Sequence, residues 1–102
     1  MPTVKEALEI LDLEIERAKR LKLPCIKVIH GYGSKGTGGK IKAKLKNVLL
    51  EKRKCGQIKD YILGEDWSIF NQKTREILNS VNVAKKDKDL EKLNLGVTII
   101  IF

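Results

Sequence analysis

Apolar residues recur at three- and four-residue spacings through Val4, Ala7, Leu8, Leu11, Ile15, Ala18 and Leu21. The spacing predicts an amphipathic helix of about five turns running to Lys22, with one face for a core. Thr3 and Glu6 fit a capping box at its start, Lys19, Arg20 and Lys22 complement the dipole at its end, and Pro24 prevents its continuation. The pattern then changes period. Cys25 to His30 is rich in β-branched residues and predicts a strand, which a run of glycines ends. A second helical stripe follows in Ile41, Leu45, Val48 and Leu49, with Lys40, Lys42, Lys44 and Lys46 through its first half and Gly56 as its stop.

Ile58 to Leu63 reads as a strand with neither face cleanly apolar. Beyond it the pattern weakens. Trp67, Ile69 and Phe70 predict a local apolar cluster, Thr74 to Leu78 a short helix, Val81 and Val83 a brief extended piece, Lys85 to Asp89 a charged surface loop, and Asp89 to Leu93 a turn of helix. Gly96 to Phe102 is the strongest strand of the chain. Its unbroken β-branched run predicts a central or doubly covered strand, not an exposed edge. The order is therefore helix, strand, basic helix, strand, variable segment, strand.

At 102 residues and 42% hydrophobic content, the chain suffices for one compact domain with a single core. Its net charge of +8, from 21 Lys and Arg against 13 Asp and Glu, favours an anionic partner such as nucleic acid over a basic one. The plainer alternative is a basic surface that keeps the domain in solution. Two cysteines, Cys25 and Cys55, with one histidine make neither a disulfide framework nor a common zinc site, and both read as small packing residues in a reducing compartment. Glu6, Glu9 and Asp12 interrupt any leader pattern at the N-terminus, and no stretch is long enough to cross a membrane. The expected location is the cytoplasm.

Chemistry concentrates between Val28 and Gly39, where five of the eight glycines fall from Gly31 onward. A strand that ends in such a loop and reopens as a helix gathers unpaired N–H groups around one point, which suits a phosphate. Lys35 and Lys40 flank that point, Ser34 and Thr37 offer hydroxyl donors, and Lys44 extends the charge along the helix. Tyr32 reads as a nucleic-acid contact or as a packing residue. His30 is the one side chain that titrates near neutrality, as acid or base for phosphodiester hydrolysis or simply as a tie for the loop. No carboxylate pair stands beside the loop in sequence. Asp60, Glu65 and Asp66 are candidate metal ligands if the strand before them approaches it, and otherwise serve ordinary turn chemistry.

His30-Gly31-Tyr32-Gly33-Ser34-Lys35-Gly36-Thr37-Gly38 resembles the His-Gly-Lys-Gly-Thr-Gly loop of the small MutS-related (Smr) domain. Thr3 to Ala7 is similar to the start of that domain's first helix, Ile26 to Ile29 to the strand before its loop, and Gly96 to Ile100 to its closing strand. The resemblance covers about residues 3–63 and 96–102, and leaves about 64–95 as an insertion within a single domain of residues 1–102. It implies a two-layer α/β sandwich, two main helices on a mixed four-stranded β-sheet, like the C-terminal domain of a bacterial translation initiation factor.

It also implies DNA or RNA as partner, and an endonuclease activity assisted by a divalent metal, Mg or Mn. His30 is the residue it places in a catalytic role, and Gly31, Tyr32, Gly33, Ser34, Lys35, Gly36, Thr37, Gly38, Lys40 and Lys44 fall on the nucleic-acid-binding stretch. The Leu-Asp-Leu-His-Gly strand that opens many such domains has no counterpart before Thr3. That departure weakens the enzyme reading and predicts an open sheet edge, coverable by a second copy in a homodimer or by a parent protein. The alternative is a protein-interaction module with the same fold and no cleavage.

Overall fold

Thr3 begins the first helix, its hydroxyl accepting from the Glu6 N–H at 3.1 Å while donating to the Glu6 carboxylate. Helix α1 (Val4–Arg20) then buries Ala7, Leu11, Ile15 and Ala18, the stripe that its spacing predicts. It stops in a Schellman arrangement, with Leu23 N–H donating to Ala18 and Lys22 N–H to Lys19. Lys22 takes the left-handed position at φ 55°, where glycine is the usual residue. Strand β1 (Cys25–Ile29), helix α2 (Thr37–Lys54) and strand β2 (Asp60–Leu63) follow. A 3-10 turn at Gly64–Asp66, helix α3 (Gln72–Ser80), a second 3-10 turn at Asn82–Lys86 and strand β3 (Val97–Ile101) complete the chain. This computed structural model describes residues 3–31 and 37–102.

The three strands form one sheet in the order β1-β3-β2. Both pairings are antiparallel, with Ile26 opposite Ile100 on one side of β3 and Tyr61 opposite Ile100 on the other. The mixed sheet implied by the resemblance is thus antiparallel throughout the described residues. All five residues of β3 are buried, in keeping with its unbroken β-branched run.

The two-layer expectation needs a larger correction. On one face, Leu11 and Ile15 of α1 and Leu45 and Leu49 of α2 pack with Val28, Ile58 and Ile100. On the other, Trp67, Ile77, Leu78 and Ala84 pack with Ile62, Ile99 and Ile101. Neighbouring strand residues point to opposite faces, so a β3 that is β-branched and buried at every position requires cover on both. Residues 64–95 supply the second layer.

That layer is fastened by polar groups. Lys27 of β1 reaches Asp87 at 2.7 Å and Asp89 at 2.6 Å. Trp67 Nε1–H donates to the second oxygen of Asp87 at 2.9 Å, and Asn94 donates to Asp89 at 3.0 Å while accepting from the Gly96 N–H at 2.8 Å. Burial alone would lower the proton affinity of Lys27, but these two carboxylates overcome it and hold the ammonium above its ordinary range. The 85–89 stretch is therefore no plain charged loop, because Asp87 and Asp89 turn inward. The extended piece expected at Val81 and Val83 is instead mostly the 3-10 turn that presents Ala84 to Trp67's cluster, and residues 89–93 form turns without a helix.

Candidate nucleic-acid interface

The end of β1 is tied to the start of β3. The N–H groups of His30 and Gly31 both donate to the Gly96 carbonyl, at 2.9 and 3.0 Å. Gly31 has φ 73°, and a Cβ on Gly96 would lie 3.0 Å from the Gly31 Cα, so glycine at both positions permits the close approach. The His30 ring completes the tie. Its Nδ1 lies 2.9 Å from the Gly31 carbonyl and its Nε2 3.0 Å from Thr98 Oγ1. A carbonyl only accepts, so Nδ1 carries the hydrogen and Nε2 accepts from the Thr98 hydroxyl.

This imidazole is 5% exposed. Burial pushes its proton affinity below the ordinary histidine value, against an opposite pull from backbone hydrogen bonds at Gly31 and Val97. Lys42 and Glu65 lie close enough to act on it with opposing sign. His30 is therefore held neutral at physiological pH with both nitrogens engaged.

Helix α2 starts at Thr37, so the chain that leaves the tie at Gly31 re-enters regular structure seven residues before Lys44. Ile41, Leu45 and Leu49 face the core, and the 3.6-residue period sets Lys40 and Lys44 on one flank of that stripe and Lys42 and Lys46 on the other. Lys40, Lys44 and Lys46 are exposed. Lys42 is half-buried and paired with Glu65. The basic helix thus divides into an outer row, Lys40 and Lys44, and an inner row that works partly on the fold.

The candidate metal ligands separate in the same way. Asp60 accepts from Lys73 at 3.0 Å, from Arg53 at 3.4 Å and from the Tyr61 N–H at 2.8 Å, which outweigh its burial and depress its proton affinity. Burial opposes ionisation of Glu65, but Lys42 holds it below its usual range. Among the described residues no group of three or more His, Cys, Asp or Glu is placed to hold a metal ion. Among the described residues Asp60 and Glu65 are each engaged by a cation and do not gather with His30 into a site for a divalent metal.

Gly31 occupies the tie, the backbone of Thr37 and Gly38 opens α2, and Lys40 and Lys44 stand exposed on it. Tyr32, Gly33, Ser34, Lys35 and Gly36 lie outside the described residues. Trp67 is buried with its N–H satisfied, whereas Phe70 is 87% exposed, so the aromatic pair expected to cluster splits into a core residue and a surface one. Sequence reading missed Thr98 and the Lys42–Glu65 pair. A single hydroxyl inside an otherwise aliphatic strand was the signal for the former; the latter, 23 residues apart, left none.

A family model described as the Smr domain matches residues 1–66, which span α1 through the first 3-10 turn. The chain belongs to the Smr domain family. Its matched part contains the glycine loop, the basic helix and His30, while α3 and β3 lie beyond it. No curated protein and no solved structure matches the chain. Smr membership supports the nucleic-acid-binding and endonuclease role general to the family. No helix among the described residues is long and apolar enough to cross a membrane.

Proposed function

We propose that this Smr domain binds the phosphate backbone of nucleic acid where the glycine loop meets the start of α2. The supporting observation is the placement of Lys40 and Lys44, exposed on one flank of the helix that opens at Thr37, directly after the glycine-rich stretch. Helix N-terminal N–H groups and two cations on one side provide a site for phosphate oxygens. The net charge of +8 adds long-range attraction, which steers a polyanion without choosing its sequence.

His30 serves this site as a positioning residue. Its ring joins Gly31 to Thr98, so the loop departs from a fixed point on the sheet. General acid–base catalysis requires a nitrogen free to exchange a proton with the reacting group, and both nitrogens here are committed within the fold. Recognition is accordingly the primary activity of these residues.

The test is the salt dependence of binding to a fluorescent oligonucleotide. Lys40→Gln and Lys44→Gln should each weaken binding and reduce the slope of log affinity against log salt by about 1. Binding that ignores salt, or survives the double replacement unchanged, would overturn the assignment and favour a protein-interaction role. Histidine is tested separately: H30Q, if folded, should lose affinity without a change in the pH profile of any cleavage activity.

A further inference from the structure

Along the outer side of β2, between α2 and α3, lies a cavity of about 200 Å³ lined by Lys46, Tyr61, Leu63, Asp66, Asn71 and Lys73. It is smaller than the roughly 300–1,000 Å³ of a pocket for a drug-sized molecule, and suits one planar ring system. Lys73 is already committed, to Asp60 and to the face of Tyr61, with its Nζ 5.7 Å from the ring centroid. Three other groups are not. Asn71 caps α3 with its side-chain oxygen, which accepts from the Thr74 N–H at 3.1 Å, and this leaves its amide NH₂ to donate elsewhere. The Asp66 carboxylate has no hydrogen bond or ion pair among the described residues, and the exposed Lys46 ammonium has no hydrogen bond among them although its charge acts on Glu65; both line the cavity.

We infer that this cavity takes an unpaired guanine of a bound nucleic-acid strand, an inference that rests on the proposed backbone binding. A carboxylate accepts two parallel N–H bonds, and an amide NH₂ beside it donates one. Of the four common bases, only guanine presents two neighbouring donors, N1–H and the N2 amino group, next to an acceptor, O6. Asp66 accepts the former pair and Asn71 donates to O6, while Tyr61 and Leu63 supply apolar wall. Lys46 lies on α2, nine residues or roughly 13 Å from its start at Thr37, and can meet the neighbouring phosphate.

These donors and acceptors lie on the guanine edge that a duplex hides, so the base must be unpaired to enter. Phe70, next to Asn71 in the chain and almost fully exposed, offers an adjacent base a surface to stack on.

The experiment compares the full chain on short fluorescent oligouridines carrying one central guanine, adenine or inosine, at fixed salt. The guanine strand should bind about tenfold more tightly than the adenine strand, the discrimination carried by one bidentate contact. Inosine, which lacks the N2 amino group, should lose most of that gain. Asp66→Asn should bring the guanine-to-adenine ratio to about one while plain oligouridine stays bound; among the described residues Asp66 is held by its backbone carbonyl, which accepts from Thr74 and Ser68 and is kept by the replacement, and not by its carboxylate. Equal binding of the three strands by the parent, or a preference that survives D66N, overturns the guanine pocket and leaves backbone binding intact. Failure to bind any strand overturns both.

Discussion

The two faces of the central strand are covered by different means. On the α1/α2 face, two helices of 17 and 18 residues bury regular stripes of leucine and isoleucine. On the other, one nine-residue helix and a 3-10 turn surround Trp67, and the contact is locked by Lys27 between two aspartates. Long helices present enough apolar area to dock mainly by burial, and the ion pair between them, Lys52 to Asp12 at 2.8 Å, leaves Asp12 largely in solvent. Short elements present less, and directional groups then specify their position. Polar fastening is consequently a sign of how little regular structure covers that face, and the difference can be broken or sharpened by substitution.

The largest effect should come from removing the centre of the second face. Trp67→Ala is expected to cost about 3–5 kcal/mol, since it leaves a cavity and deprives Asp87 of a donor. Urea unfolding measures this. A loss no greater than that of an exposed-site change would show the second layer to be dispensable. Lys27→Met should follow, with a fall in melting temperature on the order of 10 °C, because two carboxylates are left facing each other without their cation. Hydrogen exchange in K27M should rise in α3 and residues 82–93 and much less in α1. Uniform acceleration would show the two faces to be equally dependent on the pair.

His30 sharpens the comparison through pH. Its proton affinity is lower in the folded chain, so the unfolded chain binds the extra proton first as pH falls. The stability tied to neutral His30 is complete above the ordinary histidine value and is lost as pH falls through the folded one. Melting temperature should therefore decline from pH 7 toward pH 5 in the parent and stay flatter in H30Q, which is expected to be about 1–2 kcal/mol less stable at pH 7. A parallel decline in both would remove histidine from the explanation. The depressed proton affinities of Asp60, Glu65 and Asp89 add a separate loss at more acid pH, through and below the ordinary carboxylate range.

The smallest effect is a gain. Lys22→Gly at the left-handed end of α1 should stabilise the domain by about 0.5–1 kcal/mol, since glycine relieves the steric cost of that conformation. The end of α2 already has Gly56 in the equivalent place, at φ 78°. No change in K22G would mean that the lysine is held there by compensating contacts.

Much of the first face was legible because helical periodicity is a local signal. The stripe Leu11, Ile15 and Ala18 and the stripe Ile41, Leu45 and Leu49 each lie within one helix, and both are buried as their spacing predicts. The second face was not legible for the opposite reason. Asp87 and Asp89 look like solvent-facing charges until Lys27, some 60 residues away, is brought to them. The candidate site divides likewise: the His-Gly opening and the lysines of α2 are visible in order, but Thr98 beside His30 and Glu65 beside Lys42 depend on which strands pair.

By itself, the sequence determined the two long helices, the central strand, the basic balance and the position of the glycine loop. Each follows from residue type and spacing over a few turns or a single strand. Only the tertiary structure decided that residues 64–95 form the cover of the second face, that His30 is neutral with both nitrogens engaged, and that Asp60 and Glu65 neutralise cations. Those outcomes turn on which side chains lose water and which partner each meets, and a linear pattern carries neither.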